Sequence, residues 1–147
     1  MTTKQSKAGL TLVELLIVIT IIGLLATVFG INVGKWRARA RDSQRAADIR
    51  TLQQGLAFYF FRSDYSGNYP VYDIYITGSD ALSLDLQANG SMSTVPADPI
   101  NEGNYRYHYC SLEACTNQAD GVTYYLEYWL ETNAIPGKSQ GQNFAGP

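Results

Sequence analysis

The chain has 147 residues, a formal net charge of −2 and 46% hydrophobic residues. By length that is one small domain. The composition excludes a disordered tail, a collagen-like repeat, a multi-pass membrane protein and a protein held to nucleic acid by bulk positive charge. The averages conceal two unlike parts: residues 1–50 carry eight bases against three acids, net +5, and residues 51–147 carry three bases against ten acids, net −7. Such asymmetry describes a chain that works in two environments.

The chain begins with a short basic leader containing Lys4 and Lys7, followed by Gly9-Leu10-Thr11-Leu12-Val13-Glu14. Thr11 and Glu14 have capping-box spacing, in which a hydroxyl bonds an amide three residues on and the carboxylate reaches back. Next come twenty consecutive uncharged residues, Leu15 to Gly34. As a helix they span about 30 Å, the thickness of a bilayer hydrocarbon core. The apolar region of a secretory signal peptide is shorter and ends at a small-residue cleavage site. A core helix of this kind needs more chain around it than remains here. The sequence therefore predicts a membrane-inserted helix. Lys35, Arg37, Arg39 and Arg41 follow it, and the positive-inside rule taken alone places the C-terminal part in the cytoplasm. A carboxylate at the mouth of an apolar segment is costly without a partner. If the chain is cut after Gly9, the new amino group of Leu10 in a neighbouring subunit supplies one.

These residues resemble the N-terminus of type IV prepilins and the related pseudopilins, including the major pseudopilin of type II secretion. The resemblance is strongest over residues 7–35. It implies removal of residues 1–9 by a prepilin peptidase that cuts between Gly9 and Leu10, N-methylation of Leu10, and Glu14 as the acid needed for assembly. Leu10 departs from the commoner phenylalanine. The resemblance also implies partners: further copies of the chain in a helical filament, the peptidase/methyltransferase, assembly machinery in the inner membrane, and the lipid bilayer. The head would lie outside the cytoplasm, first on a single-pass precursor with its N-terminus inside and then in a surface filament. That topology overrides the naive charge rule.

No proline occurs between Leu10 and Arg62, so one long helix is predicted. Its first part, residues 10–35, forms the membrane and filament-core segment. Gly30-x-x-x-Gly34 fits a close helix-contact motif, and local melting near Gly30 and Ile31 is a further expectation. Residues 36–63 read as amphipathic. Ile49, Leu52, Leu56, Tyr59 and Phe60 recur at helical spacing and should pack on a head. Arg37, Arg41 and Arg45 form a second stripe, read as a solvated face or as contacts to lipid headgroups or neighbouring acids. Asp42 and Asp48, each three residues from Arg45, suggest local ion pairs.

The head occupies residues 64–147. Asp64 to Pro70 is turn-rich and stops the helix. Asp80 to Leu86 suggests a short helix, and Tyr105–Cys110 and Val122–Leu130 read as paired strands. Thr132–Pro147 lacks periodicity and reads as an irregular tail. The Gly-x-Tyr-Pro exit and Val95-Pro96-Ala97-Asp98-Pro99 are similar to elements of pilins and major pseudopilins. The predicted fold is therefore α+β and pilin-like: a long N-terminal helix packed on a small antiparallel sheet.

Cys110 and Cys115 are the only cysteines and are expected to form a disulfide in an oxidising exterior. With His108 the lone histidine, a zinc site is not expected. Asp98, Asn101, Glu102 and Asp120 are weak calcium candidates, since calcium takes six to eight oxygens; no cofactor is otherwise expected. Asn89-Gly90-Ser91 is a glycosylation sequon by pattern alone. No phosphate loop, nucleophile elbow or metal-binding helix is present, so no enzyme and no specific nucleic-acid partner are predicted. The leading reading is a filament subunit; the runner-up is a membrane-anchored extracytoplasmic binding domain that never polymerises, and a third, a tethered enzyme, predicts activity in the fragment from about residue 36 onward.

Overall fold

The computed structural model describes residues 11–30, 33–62, 67–111 and 124–147. It divides into two compact units, Met1–Arg37 and Ala38–Pro147.

In the first unit, α1 runs from Leu12 to Gly30. Its apolar residues are exposed around the helix, from Leu12 (80%) to Leu25 (50%), so no face is polar. The two threonines within the run turn their hydroxyls back onto the helix. Thr20 donates to the carbonyls of Leu16 and Ile17, and Thr27 to that of Leu24. Among the described residues no helix is long and apolar enough to cross a membrane. The twenty-residue uncharged run extends through residues 31 and 32, which lie outside the described residues along with the expected melting site at Ile31.

A second helix, α2, spans Val33–Phe61, and the unit boundary falls inside it after Arg37. Within the second unit it buries Asp42, Arg45, Ile49, Leu52, Gly55, Leu56 and Tyr59. The predicted apolar stripe is therefore the packed face, except that Phe60 is only half-buried. The stripe meets a four-stranded antiparallel sheet of β1 (Asp73–Ile76), β2 (Tyr107–Ser111), β3 (Tyr124–Leu130) and β4 (Gly141–Ala145), in the order β1-β2-β3-β4. A short helix, α3 (Ala81–Ala88), lies between β1 and β2 in the chain; Asp80 caps it by accepting from the Ser83 amide. Period-2 alternation is clearest in β3, where Tyr124, Leu126, Tyr128 and Leu130 point inward. The core joins these to Ile76, Tyr107 and Tyr109 of the sheet, Leu82 and Leu86 of α3, and Met92 and Val95 of the following loop.

The core is rich in tyrosine, and each buried hydroxyl needs a partner. Tyr109 donates to the Pro70 carbonyl at 2.7 Å, and Tyr107 to Asp48 at 2.9 Å. Burial raises the pKa values of Tyr107, Tyr109 and Tyr124 well above the phenolic norm, so they stay neutral. Gly55 makes room in α2 for Met92, whose Sδ would lie 2.2 Å from a Cβ at that position.

Two expectations need correction. The C-terminal segment is not wholly irregular: Gly141–Ala145 pairs with β3 from Leu126 to Leu130. Its sequence concealed this because its one large apolar residue, Phe144, points outward and is 52% exposed. The inward Asn143 is held by donating to the carbonyls of Ser139 and Gly141. The first strand, Asp73–Ile76, was not predicted either; four residues are too few to display a period.

Candidate functional site

At the N-terminus the capping box is formed. The Glu14 carboxylate accepts from the Thr11 amide at 2.9 Å and from its hydroxyl at 2.7 Å, and the Glu14 amide donates back to that hydroxyl at 3.3 Å. Both residues are exposed. Gly9 and Leu10, the expected cleavage pair, lie outside the described residues. Thr11 and Glu14 both follow the expected cut, so the box survives processing.

In the head, polar chemistry concentrates around Arg45. The side chains of Arg45 and Asp42 are fully buried, and Asp98 is 4% exposed. The guanidinium forks onto Asp98, with Nε at 2.7 Å and Nη2 at 3.1 Å from its two oxygens. Its third nitrogen lies 2.9 Å from Asp42 and 2.7 Å from Glu131. Arg41 makes a second two-point contact with Glu131. Asp42 also accepts from the amides of Glu131 and Thr132 and from the Thr132 hydroxyl. Asp98 accepts from the amides of Ile100 and Asn101, shaping the turn in which Asn101 takes a φ of 54°. The Cζ of Arg45 lies 4.8 Å from the Tyr105 ring centre. Burial pulls the Arg45 pKa down, but its hydrogen bonds to Asp98 and Glu131 outweigh that and raise it overall. Glu131 is held at about 2, first by its bond to Arg41, against desolvation, and then by Arg45.

This cluster corrects the reading of the arginine stripe. Arg41 and Arg45 turn into the head, and only Arg37 of the three is exposed. Asp42 does pair with Arg45. Asp48 does not: it accepts from Tyr107, and burial raises its pKa. A signal for the cluster was present. Asp42 and Arg45 continue the three- and four-residue rhythm of Ile49, Leu52, Leu56 and Tyr59. Charges on an apolar stripe imply buried partners. Nothing in the sequence marked Glu131.

The calcium candidates within the described residues are spoken for or stand apart. Asp98 is committed to Arg45, Glu102 is exposed beside a one-residue bridge to Tyr105, and Asp120 lies outside the described residues. The Asn101 side-chain oxygen is buried without a hydrogen-bond partner. Among the described residues no cluster of three or more His, Cys, Asp or Glu side chains is placed to hold a metal. Cys110 is fully buried at the end of β2 and is not a free thiol, whereas Cys115 lies outside the described residues. His108 sits across the outer sheet face, with Nε2 at 2.6 Å from Asp73 and Nδ1 at 3.6 Å from Glu127. The sequon nitrogen of Asn89 is buried where α3 ends, closed to modification in the folded head.

Residues 4–30 match the prokaryotic N-terminal methylation motif. That is the prepilin-type cleavage and methylation signal of type IV pilins and pseudopilins. The match frames the capping box: Thr11 and Glu14 fall inside it, and so do Gly9, Leu10 and the whole of α1. Neither the curated proteins nor the solved structures yield a match. The α+β arrangement of the head, a helix on a four-stranded antiparallel sheet, is consistent with a pilin-like fold.

Proposed function

We propose that the chain is a structural subunit, a pilin or pseudopilin, that polymerises through its N-terminal helix into a type IV pilus-like or type II secretion filament. The observation that carries the reading is the methylation motif on a helix whose apolar side chains are exposed all round. Such a surface needs lipid or other apolar helices against it. In this reading prepilin peptidase cuts between Gly9 and Leu10, and Leu10 is N-methylated. The apolar helix waits in the cytoplasmic membrane with the head outside, then bundles with copies of itself. Glu14 opens its capping box to take the amino group of a neighbouring Leu10; in a site of low dielectric that attraction is several kcal/mol before desolvation is subtracted. Cys110 and Cys115 form a disulfide in the oxidising exterior. The role is mechanical, with no enzymatic activity and no required cofactor.

The test is Glu14→Ala in the producing cell, read by membrane fractionation and by recovery of sheared filaments. Membrane insertion without filaments supports the reading, and normal filaments refute it. Mass spectrometry of the mature chain should begin at Leu10 and carry one methyl group.

A second reading is favoured by the closed capping box itself. Glu14 is already satisfied by Thr11 within one chain, as suits a membrane-anchored binding domain that never polymerises. Under that reading Glu14→Ala weakens only the helix start and changes no assembly state.

A further inference from the structure

The bases of the chain's first half have different fates. Arg41 and Arg45 are tied to acids of the head. In the first unit, Lys35 and Arg37 are exposed and, among the described residues, have neither hydrogen bond nor ion pair. Trp36 between them is 55% exposed and touches no other ring. No acid occurs between Glu14 and Asp42, so nothing near them in the chain neutralises them. They follow directly on the uncharged run that ends at Gly34.

We propose that Lys35, Trp36 and Arg37 form a docking surface for anionic phospholipid headgroups, at the level where the apolar segment leaves the bilayer. The proposal rests on the reading of that segment as membrane-inserted. Charge complementarity argues for the occupant. Two unpaired cations beside an apolar segment meet a phosphate-bearing surface, and their aliphatic stems lie along the acyl chains while the charges reach the headgroups. The indole suits the same depth, with an apolar ring and one N–H donor that finds carbonyl or phosphate oxygen. Zwitterionic lipid satisfies the indole equally well but offers the cations no net charge. The surface therefore selects for anionic lipid. Each cation near such a surface enriches it about fivefold.

Tryptophan quenching in liposomes tests this. The full chain is reconstituted into phosphatidylcholine vesicles containing either brominated phosphatidylglycerol or brominated phosphatidylcholine. The same titration on Trp36→Phe leaves only Trp129 emitting, and the difference isolates Trp36. Preferential quenching by the anionic lipid is expected, with a relative binding constant at least about fivefold above phosphatidylcholine. That preference should fall toward one in Lys35→Gln/Arg37→Gln and in high salt. Equal quenching by the two lipids overturns the proposal. So does quenching that disappears as protein is concentrated in the membrane, which would place an acidic surface of a second copy on these residues. Flotation of the vesicles separates the two levels of inference. A chain that floats yet shows no lipid preference refutes this surface alone, whereas a chain that does not float refutes the membrane reading with it.

Discussion

Replacing Arg45 with methionine probes the head most directly. The substitution keeps length and apolar bulk while deleting one charge that meets three carboxylates at 2.7–2.9 Å. Removing one partner of a buried ion pair generally costs 3–5 kcal/mol, because the other is left charged and unsolvated. The structure argues for the lower end. Asp42 keeps two amides and the Thr132 hydroxyl, Asp98 keeps two amides, and Glu131 keeps Arg41. None of the three is orphaned, so the expected loss is about 3 kcal/mol, or about 12 °C in Tm for a head of this size. Near-UV circular dichroism of the full chain in detergent reads this, since the tyrosine-rich core supplies the signal. Adding Asp98→Asn to Arg45→Met should recover at least about 1 kcal/mol, because the amide oxygen still accepts from Ile100 and Asn101 without a charge. Arg45→Lys should lose much of what methionine loses, since one ammonium cannot fork onto Asp98 and still reach Asp42 and Glu131. An Arg45→Met head that melts within a few degrees of the parent, with no recovery from Asp98→Asn, would refute the reasoning.

Other expectations follow from the same packing. Gly55→Ala should destabilise the head by about 1–2 kcal/mol by thermal melting, since the new Cβ meets Met92 and the strain exceeds the helix-propensity gain; Met92→Ala in the same chain should reverse the sign. Acid titration should weaken the head as pH falls from about 4.5 to about 2, because Glu131 is depressed in the folded state and its contribution, complete above the unfolded value, is lost through the folded one. Asp48 works in the opposite sense: its raised pKa means that protonation favours the fold, so Asp48→Asn should be tolerated but should remove this offsetting gain and steepen the upper part of the same titration. Tyr107→Phe should cost about 1–2 kcal/mol in the same melt by leaving the Asp48 carboxylate without its donor.

How much of this was legible depended on where the information lay. The motif at the N-terminus is local, with glycine, threonine and glutamate at fixed offsets before an apolar run. A linear reading captures it fully. The packed stripe of α2 was equally visible, because helical periodicity exposes a buried face over several turns. The strands Tyr107–Ser111 and Tyr124–Leu130 were visible through their alternation. Gly141–Ala145 was not, since only Asn143 points fully inward and its hold comes from carbonyls of its own loop. Asp98 was noticed as an oxygen donor for a metal. Its partner turned out to be a guanidinium 53 positions earlier in the chain. Carboxylates look alike in sequence whether they face calcium, arginine or water, and only tertiary contact decides among them.

The Arg45 cluster also explains a choice that area alone does not. An apolar patch of equal volume would serve stability about as well as a buried ion cluster, yet α2 starts its buried stripe with Asp42 and Arg45. An apolar stripe leaves the axial register of a helix weakly determined, because a slip of one turn places one aliphatic residue where another had been. Here such a slip is blocked at both ends. Moving α2 one turn in one direction puts Ile49 against Asp98 and Glu131, the two carboxylates that do not move with the helix. Moving it the other way puts Arg41 in that place but leaves Ala38 where Asp42 accepts from Glu131 and Thr132, and brings Gly55 to the position Tyr59 fills in the core. The polar contacts come from two separate segments, the loop at Asp98 and the residues just after β3. They therefore fix where along α2 the head sits.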